Sequence, residues 1–374
     1  MKNAATQNRR RVWEGLLNEF LGAGLPPTHY APKLPKKIPS LDGLRAISIS
    51  FVLIAHMSGT RYFLKNEWLE RLGLFGVRVF FVISGFLITT LLLKEFAGTG
   101  RISIKDFYLR RIFRIFPAFY FYAIVITILS LSRVIVLLPG DILHAFTYTM
   151  NYHHPHSWYL AHIWSLSVEE QFYLLWPAAL LIARPQRGIK IALGVVLLAP
   201  LIRIGSYFFL PEHGGIGLGQ QFQMVADSLA VGCFMAGIYN WLGAQEWYLH
   251  FLSSNFFLII PLTLIGTIAL QDRPRIFSLA GMSIMNVAMA ICIDRYVRFP
   301  NGPIGMILNF RPLAFVGVLS YSLYLWQQPF LNRHSTSIHT SFPLNLFLTF
   351  IVAICSYYFV EKPFLRIKER LSRL

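Results

Sequence analysis

Two adjacent carboxylates, Glu169 and Glu170, lie within an apolar stretch at 162–183 that is long enough to span a bilayer. A charged side chain at the centre of a bilayer costs about 2.5–3.5 kcal/mol even on lenient insertion scales, so it usually faces a polar interior and has a function. His56 lies in an earlier apolar stretch, roughly 16 Å beyond Arg45 along a helix. If the two stretches run in opposite directions, His56 and Glu169 lie at similar depth. This pattern predicts an imidazole general base that is oriented by a glutamate.

Hydroxyl groups accompany the two carboxylates. Ser165 lies one helical turn before Glu169, and Ser167 lies three residues before Glu170. The two glutamates are about 100° apart around a helix, which predicts that one of them faces the site. Serines in membrane helices more often pack between helices than act as nucleophiles, and a histidine there can simply bond a carbonyl. One glutamate could also serve only to neutralise a buried arginine, so these alternatives stay open.

A basic cluster lies at the start of another apolar stretch, 112–131. It contains Arg110, Arg111 and Arg114, of which Arg110 and Arg114 share a helix face at i, i+4. Guanidinium groups bind phosphate in bidentate fashion, so the cluster predicts a docking site for a phosphorylated cytosolic ligand. The alternative is a topology signal with lipid headgroup contacts.

Small and charged residues lie at membrane depth in other stretches. Ser84 and Gly85 form a small pair that allows either close helix approach or room for a thin ligand. Arg78 needs a counter-charge, for which Asp227 and Glu169 are candidates, and Arg203 is a further buried cation. The candidates for substrate contact are Ser165, Ser167, Trp164, Arg78, Asp227 and Arg203.

Three histidines, His153, His154 and His156, lie together in a segment without spanning length. No paired carboxylate or cysteine stands at ligand spacing, so we predict that the protein holds no metal. We expect these histidines and Trp158 to line the entry to a polar cavity. The sequence also lacks a glycine-rich phosphate loop and a GxSxG motif.

The composition is that of a polytopic membrane protein. Of 374 residues, 55% are hydrophobic and 14% charged, whereas soluble domains are about 25% charged, and the mean hydropathy is +0.53. Apolar runs near the spanning length of about 20 residues predict an all-α bundle of ten transmembrane helices. These runs are 44–62, 74–93, 112–131, 162–183, 189–210, 224–243, 251–269, 276–293, 312–331 and 342–361. The stretch 134–150 is broken by Pro139, Gly140 and Asp141, so we assign it to an outer loop at 132–161.

The basic residues indicate the orientation. With ten spans, most of the 34 lysines and arginines fall on the side of the N-terminus, which predicts cytoplasmic N- and C-termini. The net charge of +17 therefore reflects topology, and we expect no nucleic-acid partner. Residues 1–40 are predicted to be a basic, proline-rich cytoplasmic tail with a candidate amphipathic interfacial helix at 9–22. Residues 41–365 would form the membrane domain, and 366–374 a short cytoplasmic tail.

Taken together, these segments resemble the membrane-bound acyltransferase-3 family from about residue 40 to 365. Each motif is weak alone, but their order along the chain is highly specific. They are LDGLRAISISFVLIAH (41–56), FFVISGFLI (80–88), RRIFRIFP (110–117), WSLSVEEQF (164–172), SYSLYLWQQP (320–329) and YFVEKPF (358–364).

The resemblance implies an integral-membrane O-acyltransferase that moves an acyl group, usually acetyl, from acyl-CoA to a hydroxyl of a cell-envelope sugar. It matches Arg45 and His56 to an essential Arg–His pair of the family, and Glu169 or Glu170 to its acid. The arginines of 110–117 resemble those proposed to hold CoA. The protein would then lie in the bacterial cytoplasmic (inner) membrane, with lipid and a glycan or lipid-linked saccharide as partners.

Two positions depart from the family pattern. Relatives often have histidine where this chain has Gln327, and arginine near Asp227, for which Arg203 is a candidate substitute. A covalent acyl-enzyme through His56 or a serine stays open. Other functional classes also stay open, namely a transporter or flippase of a glycan or lipid-linked substrate, and an acyltransferase for a small cytosolic metabolite such as a macrolide.

Overall fold

The computed structural model describes residues 31–35, 37–209 and 218–371. In those ranges every regular element is helical, as the apolar runs predicted. The α-helices are α1 (Leu41–Met57), α2 (Glu67–Thr99), α3 (Ile104–Leu131), α4 (Asp141–Phe146), α5 (Trp158–Ala161), α6 (Ile163–Phe209), α7 (Phe222–Gly243), α8 (Glu246–Ser253), α9 (Ile259–Ala269), α10 (Pro274–Ile276), α11 (Met282–Arg298), α12 (Pro303–Leu308), α13 (Arg311–Phe330), α14 (Leu344–Ser356) and α15 (Lys362–Leu371). The candidate amphipathic helix at 9–22 lies outside the described residues.

Seven helical segments in the described ranges are long and apolar enough to cross a membrane. They are Glu67–Thr99, Ile104–Leu131, Trp158–Ser206, Phe222–Gly243, Asn255–Asp272, Pro274–Arg298 and Leu344–Ile367. The chain is therefore a multi-pass membrane protein. Each of the ten predicted runs falls on helical chain, but α1 and α13 are not among the seven, so the count of ten and the cytoplasmic termini stay predictions.

Two of the predicted runs, 162–183 and 189–210, lie on the single long helix α6. The backbone breaks inside it at Arg184, which has φ 64° and ψ 159°. Pro185 follows, and a proline disfavours the α conformation in the residue before it. The break therefore falls between the two predicted runs.

The stretch 134–150 contains the six-residue helix α4 and connecting turns, and no spanning helix. The fully buried Asp141 organises this segment. Its carboxylate accepts hydrogen bonds from the backbone N–H groups of Leu138, at 2.8 Å, and Ser157, at 3.1 Å, and pairs with His153 at 3.1 Å. Asp141 thus connects the part of the outer loop near Leu138 with the part near Ser157.

Glycines bring the central helices into close contact. A Cβ on Gly85 of α2 would collide with the carbonyl oxygen of Leu229 in α7, and one on Gly232 would collide with that of Val82. A Cβ on Gly76 would lie 2.5 Å from the Ser48 carbonyl of α1. Small residues permit such backbone approach in membrane bundles. They fix α1, α2 and α7 against one another.

The close α2–α7 contact predicts a difference between two glycines of the same helix. We expect Gly85→Ala to lower the melting temperature of the detergent-solubilised protein because Leu229 must move. Gly98→Ala is the matched control, since a Cβ there meets nothing within 4 Å. Its gain in helix propensity, at most about 1 kcal/mol, should leave the melting temperature equal or higher. Equal lowering by both variants would contradict this packing.

Candidate functional site

The polar residues at membrane depth line two adjoining cavities. The inner cavity, of about 110 Å³, lies between α1, α2, α3, α6 and α13. Its polar lining consists of Arg45, Ser84, Arg111, Arg114, Ser165, Glu169, Glu170, Tyr173, Ser320, Tyr321 and Tyr324. Three guanidinium groups thus face two carboxylates in an enclosure within the bundle.

Glu169 lies among cations and hydroxyls of the inner cavity. Its carboxylate is within electrostatic range of the guanidinium groups of Arg111 and Arg45, and Ser84 and Tyr173 line the same cavity. Those two hydroxyls lie 2.5 Å apart, and the Arg111 guanidinium lies 4.7 Å from the centre of the Tyr173 ring. Opposite charges and hydroxyls thus surround Glu169.

Glu170 lines the same cavity, so the prediction that only one glutamate faces the site is wrong. The cavity covers a face of α6 that is broad enough to include both members of a pair about 100° apart. One oxygen of Glu170 is buried and has no hydrogen-bond partner among the described residues. Glu170 therefore keeps an acceptor available inside the cavity.

The basic cluster of α3 is divided between two environments. Arg111 and Arg114, three residues apart, line the inner cavity. Arg110 lies outside the lining and pairs with Glu95 at 3.0 Å. The prediction that Arg110 and Arg114 share the ligand face is therefore wrong, because Glu95 holds Arg110 against the end of α2.

The outer cavity, of about 350 Å³, contains His56. Its Nδ1 lies 2.6 Å from the amide oxygen of Gln327. The amide nitrogen of Gln327 donates to the side-chain oxygen of Gln328 at 2.9 Å, and that residue donates to the carbonyl of Trp158 at 2.7 Å. This chain orients the Gln327 amide so that its oxygen faces His56. Because that oxygen only accepts, Nδ1 carries the proton and Nε2 has the free lone pair.

The expected pairing of His56 with Glu169 is wrong. His56 lines the outer cavity and its partner is Gln327, whereas Glu169 lines the inner cavity. The predicted first run extends to residue 62, but α1 ends at Met57, so His56 stands in the last helical turn instead of six residues below the end. The imidazole is therefore further out than the run predicted.

The two cavities meet at Val77 and Tyr324, which line both. The Tyr324 hydroxyl donates to the carbonyl of His162 at 2.9 Å and lies 2.5 Å from the Ser165 hydroxyl. Ser165 lines the inner cavity, so its predicted place at the site agrees with the geometry. A polar pair thus stands where the two cavities adjoin.

Of the two other residues of α6 that were predicted to contact substrate, one lines a cavity and the other does not. Trp164 lines the outer cavity and packs edge-on against Phe81 at 6.0 Å. Ser167 lines neither cavity, because its hydroxyl donates to the carbonyl of Ile163 one turn back. Gly85 also lines neither cavity, so of the pair in α2 only Ser84 faces the site.

A second polar cluster lies away from both cavities, where α2, α6, α7 and α11 meet. Arg203 pairs with Asp227 at 2.9 Å, and Arg78 donates to Ser228 at 2.8 Å and to Asn286 at 3.3 Å. Asp227 is thus the partner of Arg203, and the predicted substrate contacts of these three charged residues find no support in the geometry. They connect helices, because unpaired charges are costly in an apolar bundle.

The outer loop supplies Trp158 to the outer cavity, but the three predicted histidines are not among the residues that line it. His153 pairs with Asp141 and stacks on His144 with ring centres 4.3 Å apart. Burial lowers the pKa of both His154 and His156. In the described part of the chain, His, Cys, Asp and Glu form no group suited to a metal ion.

Several residues of the outer cavity were not predicted from the sequence. Glu70 and Arg333 form an ion pair of 2.9 Å on its wall, and Arg333 also donates to the Ala55 carbonyl at 2.8 Å. His162 lines the cavity as well. It lies two residues before Trp164, where the motif 164–172 begins, and this position was the available signal.

Comparison with known proteins shows the family of the chain. The model of a family described as an acyltransferase domain matches residues 38–361. The chain belongs to this acyltransferase-3 family. The peptidoglycan O-acetyltransferase OatA of Listeria monocytogenes is 29% identical over 377 residues, which cover 88% of this chain and 56% of that protein. The O-acetyltransferase OatA of Staphylococcus aureus is 29% identical over 367 residues, which cover 88% and 57%.

This member of the acyltransferase-3 family spans a little over half the length of these curated relatives. No solved structure gives a significant match to it. The matched segment 38–361 contains every residue that lines the two cavities.

Proposed function

We propose that this protein is a bacterial inner-membrane O-acyltransferase that moves an acetyl group from cytosolic acetyl-CoA to a hydroxyl of a cell-envelope glycan. The observation that carries the proposal is the pair of adjoining cavities, one basic and one with an imidazole base, that meet at Val77 and Tyr324. Family membership and the O-acetyltransferase names of the relatives support it.

The inner cavity suits the donor. Acetyl-CoA is a polyanion with a neutral thioester, and Arg111 and Arg114 offer guanidinium groups that bind phosphate oxygens. The acyl end of the donor would enter this cavity, with its phosphates on these arginines. The charge of Glu169 offsets part of the positive charge of Arg111 and Arg45 there.

The outer cavity suits the acceptor. The free Nε2 of His56 takes the proton of a sugar hydroxyl as that oxygen attacks the acyl carbonyl. The new C–O bond forms as the C–S bond breaks, and the His56 imidazolium gives the proton to the leaving CoA thiolate, which restores the neutral base. Gln327 keeps the imidazole in the tautomer that this step needs. Neutral Gln327 thus orients the base, a role that the sequence analysis gave to a glutamate.

The donor assignment predicts that two neighbouring arginines differ. We expect Arg111→Gln to weaken the binding of radiolabelled acetyl-CoA to purified protein by about tenfold or more, the equivalent of one lost charged hydrogen bond. Arg110→Gln is the matched control and should stay within about twofold of wild type, because Arg110 pairs with Glu95 outside the cavity. Equal weakening by both would place the phosphates elsewhere.

The base assignment is tested by mixing radiolabelled acetyl-CoA with membranes that contain wild type or His56→Ala. We expect the variant to transfer label about 10²–10⁴-fold more slowly, the usual contribution of a general base. Binding of acetyl-CoA should be unchanged because His56 does not line the inner cavity. His339→Ala, at an exposed histidine, is the control. Equal transfer by wild type and His56→Ala would remove His56 from the mechanism.

A further inference from the structure

The outer cavity contains a second imidazole, that of His162. This side chain is 3% exposed and lines the cavity with His56. Neither of its ring nitrogens has a hydrogen-bond partner among the described residues. Its ring packs against Tyr122 and Tyr324, with ring centres 5.5 and 5.4 Å apart.

Packing alone does not explain a histidine at this position. A buried polar group without a partner costs about 1–3 kcal/mol, and phenylalanine would fill the space between two tyrosines without that cost. The Leu325 carbonyl lies beside the ring but outside hydrogen-bond geometry. It favours an N–H on the nitrogen that faces it and leaves a lone pair on the other nitrogen. The unmet hydrogen-bonding capacity of His162 therefore points to a ligand.

Two other residues that line the same cavity also have a buried polar atom without a hydrogen-bond partner. Nε of Arg333 and Oε1 of Gln220 are buried and have no hydrogen-bond partner in the described ranges. The charge of Arg333 is balanced by Glu70 at 2.9 Å. The cavity thus offers donors and acceptors without an unpaired charge on its wall. A ligand with several neutral hydroxyl groups, such as a sugar, fits this chemistry.

We infer that His162 binds the acceptor sugar by accepting a hydrogen bond from a hydroxyl next to the one that His56 deprotonates. A hydroxyl has one proton, so it cannot donate to both imidazole lone pairs at once, and two imidazoles in one cavity therefore serve two hydroxyls. Neighbouring hydroxyls of a sugar ring supply that pair. This inference rests on the proposed function and adds the residue that positions the acceptor.

The test uses the full chain in lipid nanodiscs, with radiolabelled acetyl-CoA as donor and a soluble peptidoglycan-derived tetrasaccharide as acceptor. The variants are His162→Phe, which keeps the aromatic packing, and His162→Gln, which restores a hydrogen-bonding group. His339→Phe is the matched control at an exposed histidine. The initial transfer rate is measured against acceptor concentration, and acetyl-CoA binding is measured separately.

We expect His162→Phe to lower kcat/KM for the sugar about 10- to 100-fold, chiefly through a higher KM, with acetyl-CoA binding unchanged. His162→Gln should recover most of that loss, and His339→Phe should match wild type. Kinetics of His162→Phe within about twofold of wild type would overturn the inference and leave the proposed function standing. The inference also fails if both His162 variants lose acetyl-CoA binding, because His162 would then be structural. Wild type that transfers no label overturns the proposed function, and the inference with it.

Discussion

The cost of an unpartnered polar group inside an apolar bundle governs the whole structure. Among the described residues, Arg203 and Asp227 reduce this cost by pairing across helices at 2.9 Å. Arg111 and Glu169 instead line the inner cavity. The division matters because groups that line a cavity can meet a substrate, whereas Arg203 and Asp227 pair with each other away from both cavities.

His56 shows how such a bundle orients an imidazole without a carboxylate. Its Nδ1 lies 2.6 Å from Gln327, and Gln328 and the carbonyl of Trp158 in turn fix the amide. A neutral partner sets the tautomer and adds no charge to a region of low dielectric. Glu169 and Glu170 lie in the other cavity, with Arg45, Arg111 and Arg114. The imidazole of His56 is thus separated from this charged cluster, and Tyr324 lines both cavities.

The sequence was sufficient for the helical class and for the charged residues of the inner cavity, but not for its tyrosines. Apolar runs located the helices, and the presence of Glu169 and Glu170 in one run identified a polar interior. Which side chains contact each other could not be predicted in the same way. Whether His56 meets Glu169 or Gln327 depends on the end of α1, and boundaries are the least certain feature of a hydrophobic pattern. Contacts between distant segments have no local signature, and only the family pattern indicated that Arg203 could lie near Asp227, with which it pairs at 2.9 Å.

The central claim is that an acetyl group passes from the basic cavity to the imidazole cavity, and thus from one side of the membrane towards the other. Proteoliposomes with a single protein orientation test it, with radiolabelled acetyl-CoA on the side of α3's arginines and an impermeant glycan fragment only on the opposite side. The account predicts label on the glycan, with none when the two compartments are exchanged. Label that appears only when donor and glycan share the arginine side would contradict it.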